Sequence, residues 1–171
     1  MTAQTELISL KRYQPGYQQG VVSLILPIQN QEFGIEITAE QQPDLSEIEA
    51  FYQRGGGDFW LALAGGRVVG CIGLKDLGNQ QAALRKMFVA EGYRGSATGA
   101  ANALLNRLLD HASRQQIREI FLGTTAKFHA AHRFYEKHGF EEIAIPQLPA
   151  AFPLMQVDTK FYRLRLPRAG G

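Results

Sequence analysis

Between Tyr93 and Leu105 the chain reads YRGSATGAANALL, two glycines among small residues after an apolar run and before a leucine-striped helix. A strand that passes through a glycine-rich turn into a helix leaves several backbone N–H groups unpaired and facing outward, with the positive end of the helix dipole behind them. Such a turn suits an anion such as phosphate. Arg94 adds a fork-shaped cation at its rim, matched to phosphate oxygens. Absent motifs narrow the ligand. A Walker loop needs glycine five residues after Gly95 and then lysine, and Ala100 and Ala101 stand there. The dinucleotide pattern G-x-G-x-x-G fails in this turn as well. GSATG puts Ala97 where a serine hydrolase carries its nucleophile.

Other reactive side chains point to less. His129 and His132 share a helix face at i, i+3, but no cysteine or second histidine pair completes a ligand set, so no metal is expected. Cys71 lies mid-strand in VVGCIGL and reads as core rather than nucleophile. His111 and His138 read as surface residues, and Phe51, Tyr52, Phe59 and Trp60 as core.

The elements that must position the turn are legible around it. DFWLALA, RVVGCIGL and QAALRKMFV are strand-like runs separated by Gly65–Gly66 and by Gly78–Asn79, which supply the positive φ angles of tight hairpins. They form a three-stranded antiparallel meander. The helix after the glycine turn carries Ala101, Leu104, Leu105, Leu108, Leu109 and Ala112 on one face, with Asn102, Asn106, Arg107 and Asp110 opposite. IREIFLGTT is the next strand, and a right-handed crossover sets it parallel to LRKMFV. A second helix runs from about Ala126 to His138 and stops at Gly139. Upstream, TELISLKRY alternates as a first strand would, and the apolar stretch from Val21 to Ile28 belongs to a buried element. EFGIEIT reads as a short strand or a loop, and Pro43–Asp44 open a helix over DLSEIEAFYQR that Gly55–Gly57 end. EEIAI and FYRLRL are the last strands, joined by a proline-containing loop suited to shaping an acceptor pocket or a dimer contact.

With 171 residues, 45% hydrophobic and 20% charged, the chain is expected to be one domain, residues 1–171, with a core that needs no metal or disulfide. A single cysteine fits a reducing, cytoplasmic setting, and the N-terminal stretch shows no export signal. No run approaches the roughly 20 apolar residues of a membrane span. A net charge of +2, spread along the chain, argues against bulk nucleic-acid binding.

These residues resemble the GNAT superfamily of N-acetyltransferases, enzymes that use acetyl-CoA. The family signature of Arg or Gln, two residues, Gly, one residue, then Gly or Ala falls on Arg94, Ala97 and Gly99, with Ala97 departing from the usual first glycine. Upstream, LRKMFVAEGYRG is similar to the family's strand and entry turn, with Glu91 where proline is common. Downstream, AHRFYEKHGFEEI is similar to its second hallmark, a helix ending in F/L-Y-E-K-x-G-F. The resemblance covers about Trp60 to Ile143. It implies an α/β (α+β) fold: a mixed, mostly antiparallel central sheet with a splayed parallel strand pair, flanked by helices.

Carried onto this chain, the resemblance implies that Met87, Phe88 and Val89 line the pantetheine of acetyl-CoA. It also implies that Arg94, Gly95, Ser96, Ala97, Thr98, Gly99 and Ala100 hold its pyrophosphate through their backbone. Tyr135 occupies the family position of the proton donor to the departing thiolate; the alternative is that it packs with Phe128 and Ala131. An N–H near Phe88 or Val89 would polarise the thioester carbonyl. Thr124 and Thr125 are candidates to contact cofactor or acceptor, or else cap the next helix. Phe128 replaces an asparagine that often contacts the cofactor, which suggests an apolar wall. Glu32 and Glu36 are the candidate general bases, each with the alternative of being a solvated surface carboxylate. The implied reaction is direct transfer of acetyl from acetyl-CoA, as cosubstrate and without metal, to a primary amine of a small molecule or peptide through a tetrahedral intermediate. A monomer or homodimer is expected. The competing reading is a non-catalytic acyl-CoA-binding sensor or regulatory subunit.

Overall fold

The computed structural model describes residues 7–95 and 98–167. Among them seven strands, β1 (Ser9–Arg12), β2 (Asp58–Ala64), β3 (Arg67–Gly78), β4 (Gln81–Val89), β5 (Glu119–Thr124), β6 (Glu141–Ile143) and β7 (Lys160–Arg165), form one sheet. Their order is β1-β2-β3-β4-β5-β7-β6. Every neighbouring pair is antiparallel except β4 with β5. Four α-helices accompany them: α1 (Gln18–Pro27), α2 (Ile48–Tyr52), α3 (Ala100–Arg114) and α4 (His129–Lys137).

Both hairpins of the β2–β3–β4 meander turn on two residues with positive φ, Gly65 and Gly66 in the first, Asn79 and Gln80 in the second. That geometry matches the right-handed twist of the strands. Strand β2 is buried along its whole length because both faces are covered. Trp60, Ala62 and Ala64 pack with Leu104, Leu105 and Leu108 of α3, while Phe59, Leu61 and Leu63 pack with Val21 and Ile25 of α1 and Ile48 of α2. The period-two alternation of the strand thus separates two cores. Burying a leucine side chain stabilises by about 1.5–3 kcal/mol, so the three fully buried leucines of α3 fix that helix and the glycine turn before it.

Outside the meander, two elements whose form the sequence leaves open take a definite one, and two helices differ in extent from the expectation. The Val21–Ile28 run is helical, as α1, and continues through a wide turn at Ile28–Glu32. EFGIEIT is a loop, because the Asn30 amide donates to the carbonyls of Ile35 (2.8 Å) and Ile37 (2.9 Å) in place of a strand partner. The helix expected over DLSEIEAFYQR splits into a tight turn at Pro43–Ser46 and the short α2, with Glu47 out of helical geometry between them. Helix α4 starts at His129 rather than Ala126, because the Thr125 hydroxyl and carbonyl hold a turn at Lys127 and Phe128.

The feature that opens the sheet is the parallel pair. β4 and β5 are in register only at Gln81–Glu119, Ala82–Ile120 and Ala83–Phe121. Past Ala83 β4 bends away: Arg85 to Phe88 oppose only Gly73 to Cys71 of β3, and Lys86 takes φ 54°. One extra residue on one strand is a bulge, and a bulge bends the strand that carries it.

Candidate functional site

The wedge between the splayed ends of β4 and β5 is a cleft of about 500 Å³. That is within the usual range for a small-molecule site. Met87, Phe88 and Val89 form its β4 wall and Leu122, Gly123 and Thr124 its β5 wall. Beyond Ala83 neither strand has the other as partner, so the backbone of β4 offers its open edge to whatever lies in the wedge.

One end of the cleft is formed by the glycine turn that precedes α3. Gly95 lines it, and both Gly95 (φ 93°) and Gly99 (φ 67°) occupy the left-handed region that favours glycine. A Cβ at either position would meet nothing within 4 Å among the described residues. Gly99 is the N-cap of α3, whose first N–H groups are free of helical partners. The Thr98 hydroxyl donates to the carbonyl of Tyr93 and so braces the turn. Ala100 is buried beneath it. Ser96 and Ala97, read above as part of this cradle, lie outside the described residues. Arg94 lines the same end: its Nε donates to the Val89 carbonyl (2.8 Å) and its two terminal nitrogens donate to both carboxylate oxygens of Glu32. The first N–H groups of α3, free of helical partners, and the Arg94 guanidinium together fit a diphosphate.

Across the cleft stands Tyr135 of α4, 5% exposed, packed edge-on against Phe140 and Phe134. Its hydroxyl has no hydrogen-bond partner among the described residues, although the side chain lines the cleft. Burial, and secondarily the charge of Asp158, push its pKa well up, so the group holds its proton. Phe128 is an apolar wall, with ring centroids 4.7 Å from Phe33 and 6.2 Å from Phe88. Thr124 and Thr125 are both buried in the lining. The His132 ring donates to the Thr125 carbonyl at 2.8 Å, which makes it a brace for the β5–α4 turn.

The far wall carries charges that sequence reasoning missed. Arg85 donates to the Tyr52 hydroxyl (3.2 Å) and the Pro153 carbonyl (2.9 Å), and Lys86 donates to Gln42 Oε1 (2.7 Å). Behind them, outside the cleft lining, Asp44 sits 3.8 Å from both cations and accepts from the Tyr52 hydroxyl at 2.5 Å. Burial lowers the Lys86 pKa to about 8 against the pull of Asp44. Asp158, on the loop before β7, completes this wall. Strand periodicity alone sends Arg85 and Lys86 to opposite faces, and it is the bulge that brings both to the cleft.

The two carboxylates chosen from sequence as bases stand elsewhere. Glu32 is committed to Arg94, which lowers its pKa first through the hydrogen bond and then through charge, and so weakens it as a base. Glu36 is exposed and not part of the cleft lining. Geometry therefore withdraws support from both.

A model of the acetyltransferase (GNAT) family matches residues 24–140. N-acetylaspartate synthetase of Xenopus tropicalis is 39% identical over 131 residues, which cover 73% of this chain and 47% of that protein. The chain spans about half the length of the curated relatives it matches. Among solved structures, an acetyltransferase of the GNAT family from Staphylococcus aureus Mu50 superposes with a TM-score of 0.90 at 41% identity, over 94% of this chain and 99% of that one. N-acetylglutamate synthase from Neisseria gonorrhoeae, complexed with coenzyme A and N-acetyl-glutamate, shares the fold with a TM-score of 0.70 at 18% identity, over 97% of this chain and 37% of that one.

Proposed function

The chain belongs to the GNAT acetyltransferase family, and from that premise we propose that it transfers acetyl from acetyl-CoA to the primary amine of a small molecule by direct attack. The observation that carries this reading is Tyr135: a hydroxyl without a hydrogen-bond partner among the described residues, kept protonated by burial, facing a wedge whose other end is the N-terminus of α3 with Arg94 beside it. Acetyl-CoA enters as a substrate. Arg94, Gly95, Thr98, Gly99 and Ala100 would hold its diphosphate, and the open edge of β4 at Met87, Phe88 and Val89 its pantetheine. A β4 N–H near Phe88 or Val89 would stabilise the oxyanion of the tetrahedral intermediate. Tyr135 would give its proton to the departing thiolate.

For the acceptor, the names of the relatives, N-acetylaspartate synthetase and N-acetylglutamate synthase, support a small amine that carries carboxylates. Arg85 and Lys86 put two cations in the wall where such an amine would lie. Among the described residues no helix is long and apolar enough to cross a membrane.

Calorimetric titration with acetyl-CoA and with CoA tests the cradle, and thiol release from acetyl-CoA in the presence of L-aspartate, L-glutamate and their amides tests the acceptor. Tyr135→Phe is expected to lose turnover by about 100-fold or more while binding CoA as before. Unchanged turnover in that variant removes the proton-donor role, and no binding at millimolar cofactor removes the enzyme reading itself.

A further inference from the structure

An alkylamine of pKa near 10.4 is only about 0.04% neutral at about pH 7, so attack on a thioester needs a group in the cleft that takes the ammonium's proton. Among the described residues lining the cleft, Asp158 is the only carboxylate. We propose that Asp158 receives the acceptor's ammonium group and takes its proton, an inference that rests on the acetyltransferase reading above.

Three observations carry it. First, the chain is shaped to bring this carboxylate in. The Asp158 N–H donates to the Met155 carbonyl (3.0 Å) and the Thr159 N–H to the Thr124 carbonyl (2.9 Å), clamping the loop onto the end of β5. Oδ2 then lies so close to that strand that a Cβ on residue 123 would sit 2.6 Å from it, a place only glycine leaves free. Second, Asp158 is uncommitted: no side chain among the described residues donates a hydrogen bond to it or forms an ion pair with it. Asp44, by contrast, accepts from Tyr52 and faces Arg85 and Lys86, and Glu32 is held by Arg94. Third, the groups around it suit the task. From α4 it faces Tyr135, whose ionisation its charge opposes. From β4 the charges of Arg85 and Lys86, with the Met155 backbone, favour its ionised form, and desolvation outweighs them and raises its pKa. A carboxylate raised in this way is a stronger base than an ordinary one.

The protons then balance. Asp158 takes one proton from the ammonium, and the freed nitrogen lone pair forms the C–N bond at the thioester carbonyl carbon. The C–S bond breaks with its electron pair on sulfur, which takes the Tyr135 proton. The tyrosinate recovers a proton from the nitrogen as it becomes an amide. Asp158 returns its own to solvent, so one proton is released per turnover.

The test uses the whole protein with aspartate carboxyl carbons labelled with carbon-13, with and without CoA, and methylammonium chloride as probe. Asp158→Asn assigns the resonance and is nearly isosteric, and urea denaturation verifies that it folds. The expected result is a carboxyl that titrates above the ordinary carboxylate range and whose resonance moves on adding methylammonium. In thiol release, Asp158→Asn is expected to lose roughly 100-fold with methylamine, which is protonated at neutral pH, and to stay within about threefold with hydroxylamine, which is not. A resonance indifferent to methylammonium, or equal loss with both amines, overturns the proposal. Failure of the wild-type protein to bind CoA would instead sink the acetyltransferase reading, and the methylammonium titration without CoA would still report on Asp158. Lys86→Met and His129→Gln serve as controls: an amine-dependent loss in either, with none in Asp158→Asn, assigns the proton to that residue and overturns the proposal.

Discussion

Removing Glu32 should make CoA bind more tightly. The two terminal nitrogens of Arg94 are engaged by both oxygens of Glu32, and these are the nitrogens that a diphosphate at the glycine turn would use. Any diphosphate contact therefore replaces an existing one. The Arg94 and Glu32 side chains are 35% and 27% exposed, so the pair belongs with half-solvated ion pairs. Such pairs contribute about 0.2–1 kcal/mol, with two-pronged geometry at the upper end. Glu32→Ala returns that amount to the ligand, a gain of up to about fivefold in affinity. Arg94 keeps its position in the variant, because its Nε still donates to the Val89 carbonyl.

Arg94→Ala acts with the opposite sign. Loss of charge-assisted hydrogen bonds worth about 1.5–3 kcal/mol should weaken CoA by roughly 10- to 150-fold. Pantetheine, which lacks the diphosphate, should be indifferent to both changes. Calorimetry at low salt and again near 1 M salt, where the Debye length falls to about 3 Å, should show the Glu32→Ala gain shrinking. Weaker CoA binding in Glu32→Ala, or equal gains for CoA and pantetheine, would refute the competition between carboxylate and diphosphate.

Two further outcomes concern buried groups. Lys86, lowered to about 8 by burial, binds fewer protons folded than unfolded between about pH 8 and its ordinary 10.5, so its contribution to stability rises with pH across that window. Lys86→Met should therefore remove up to about 1.4 kcal/mol per pH unit of slope from urea-denaturation stability between about pH 8 and 9.5, and an unchanged slope would show that the lysine is solvated. The Cys71 thiol, fully buried and pushed up to about 12 chiefly by desolvation, should resist a thiol reagent at about pH 8 until denaturant is added, and rapid labelling of the native protein would place it at the surface.

The β2–β3–β4 meander and α3 were legible because local chemistry and global fold agree there. Positive-φ positions fall between period-two runs, and the leucine stripe of α3 has one apolar sheet face to cover. The glycine turn was legible for the same reason, since a backbone conformation that only glycine adopts easily is written directly in residue type. The upstream half was read less well. Its helices are short, α2 being only five residues, and loop 33–39 is held by the amide of Asn30 rather than by a periodic pattern.

The direction a carboxylate faces is not written in the sequence in the same way. Glu32 and Glu36 stood in a segment expected to border the acceptor, but position in the chain does not specify which way a carboxylate faces. Arg94, 62 positions away, decides the case of Glu32. Asp158 lies in an irregular, proline-containing loop, where no period assigns a face. One signal did exist: Gly123 interrupts the apolar strand IFLGTT with no turn to explain it. A glycine inside a strand marks a close approach by something else, and here the something is a carboxylate 35 residues later. On the proposed roles, the glycines of this chain would mark both ends of its chemistry, one where a backbone opens to an anion and one where a side chain enters to meet a cation.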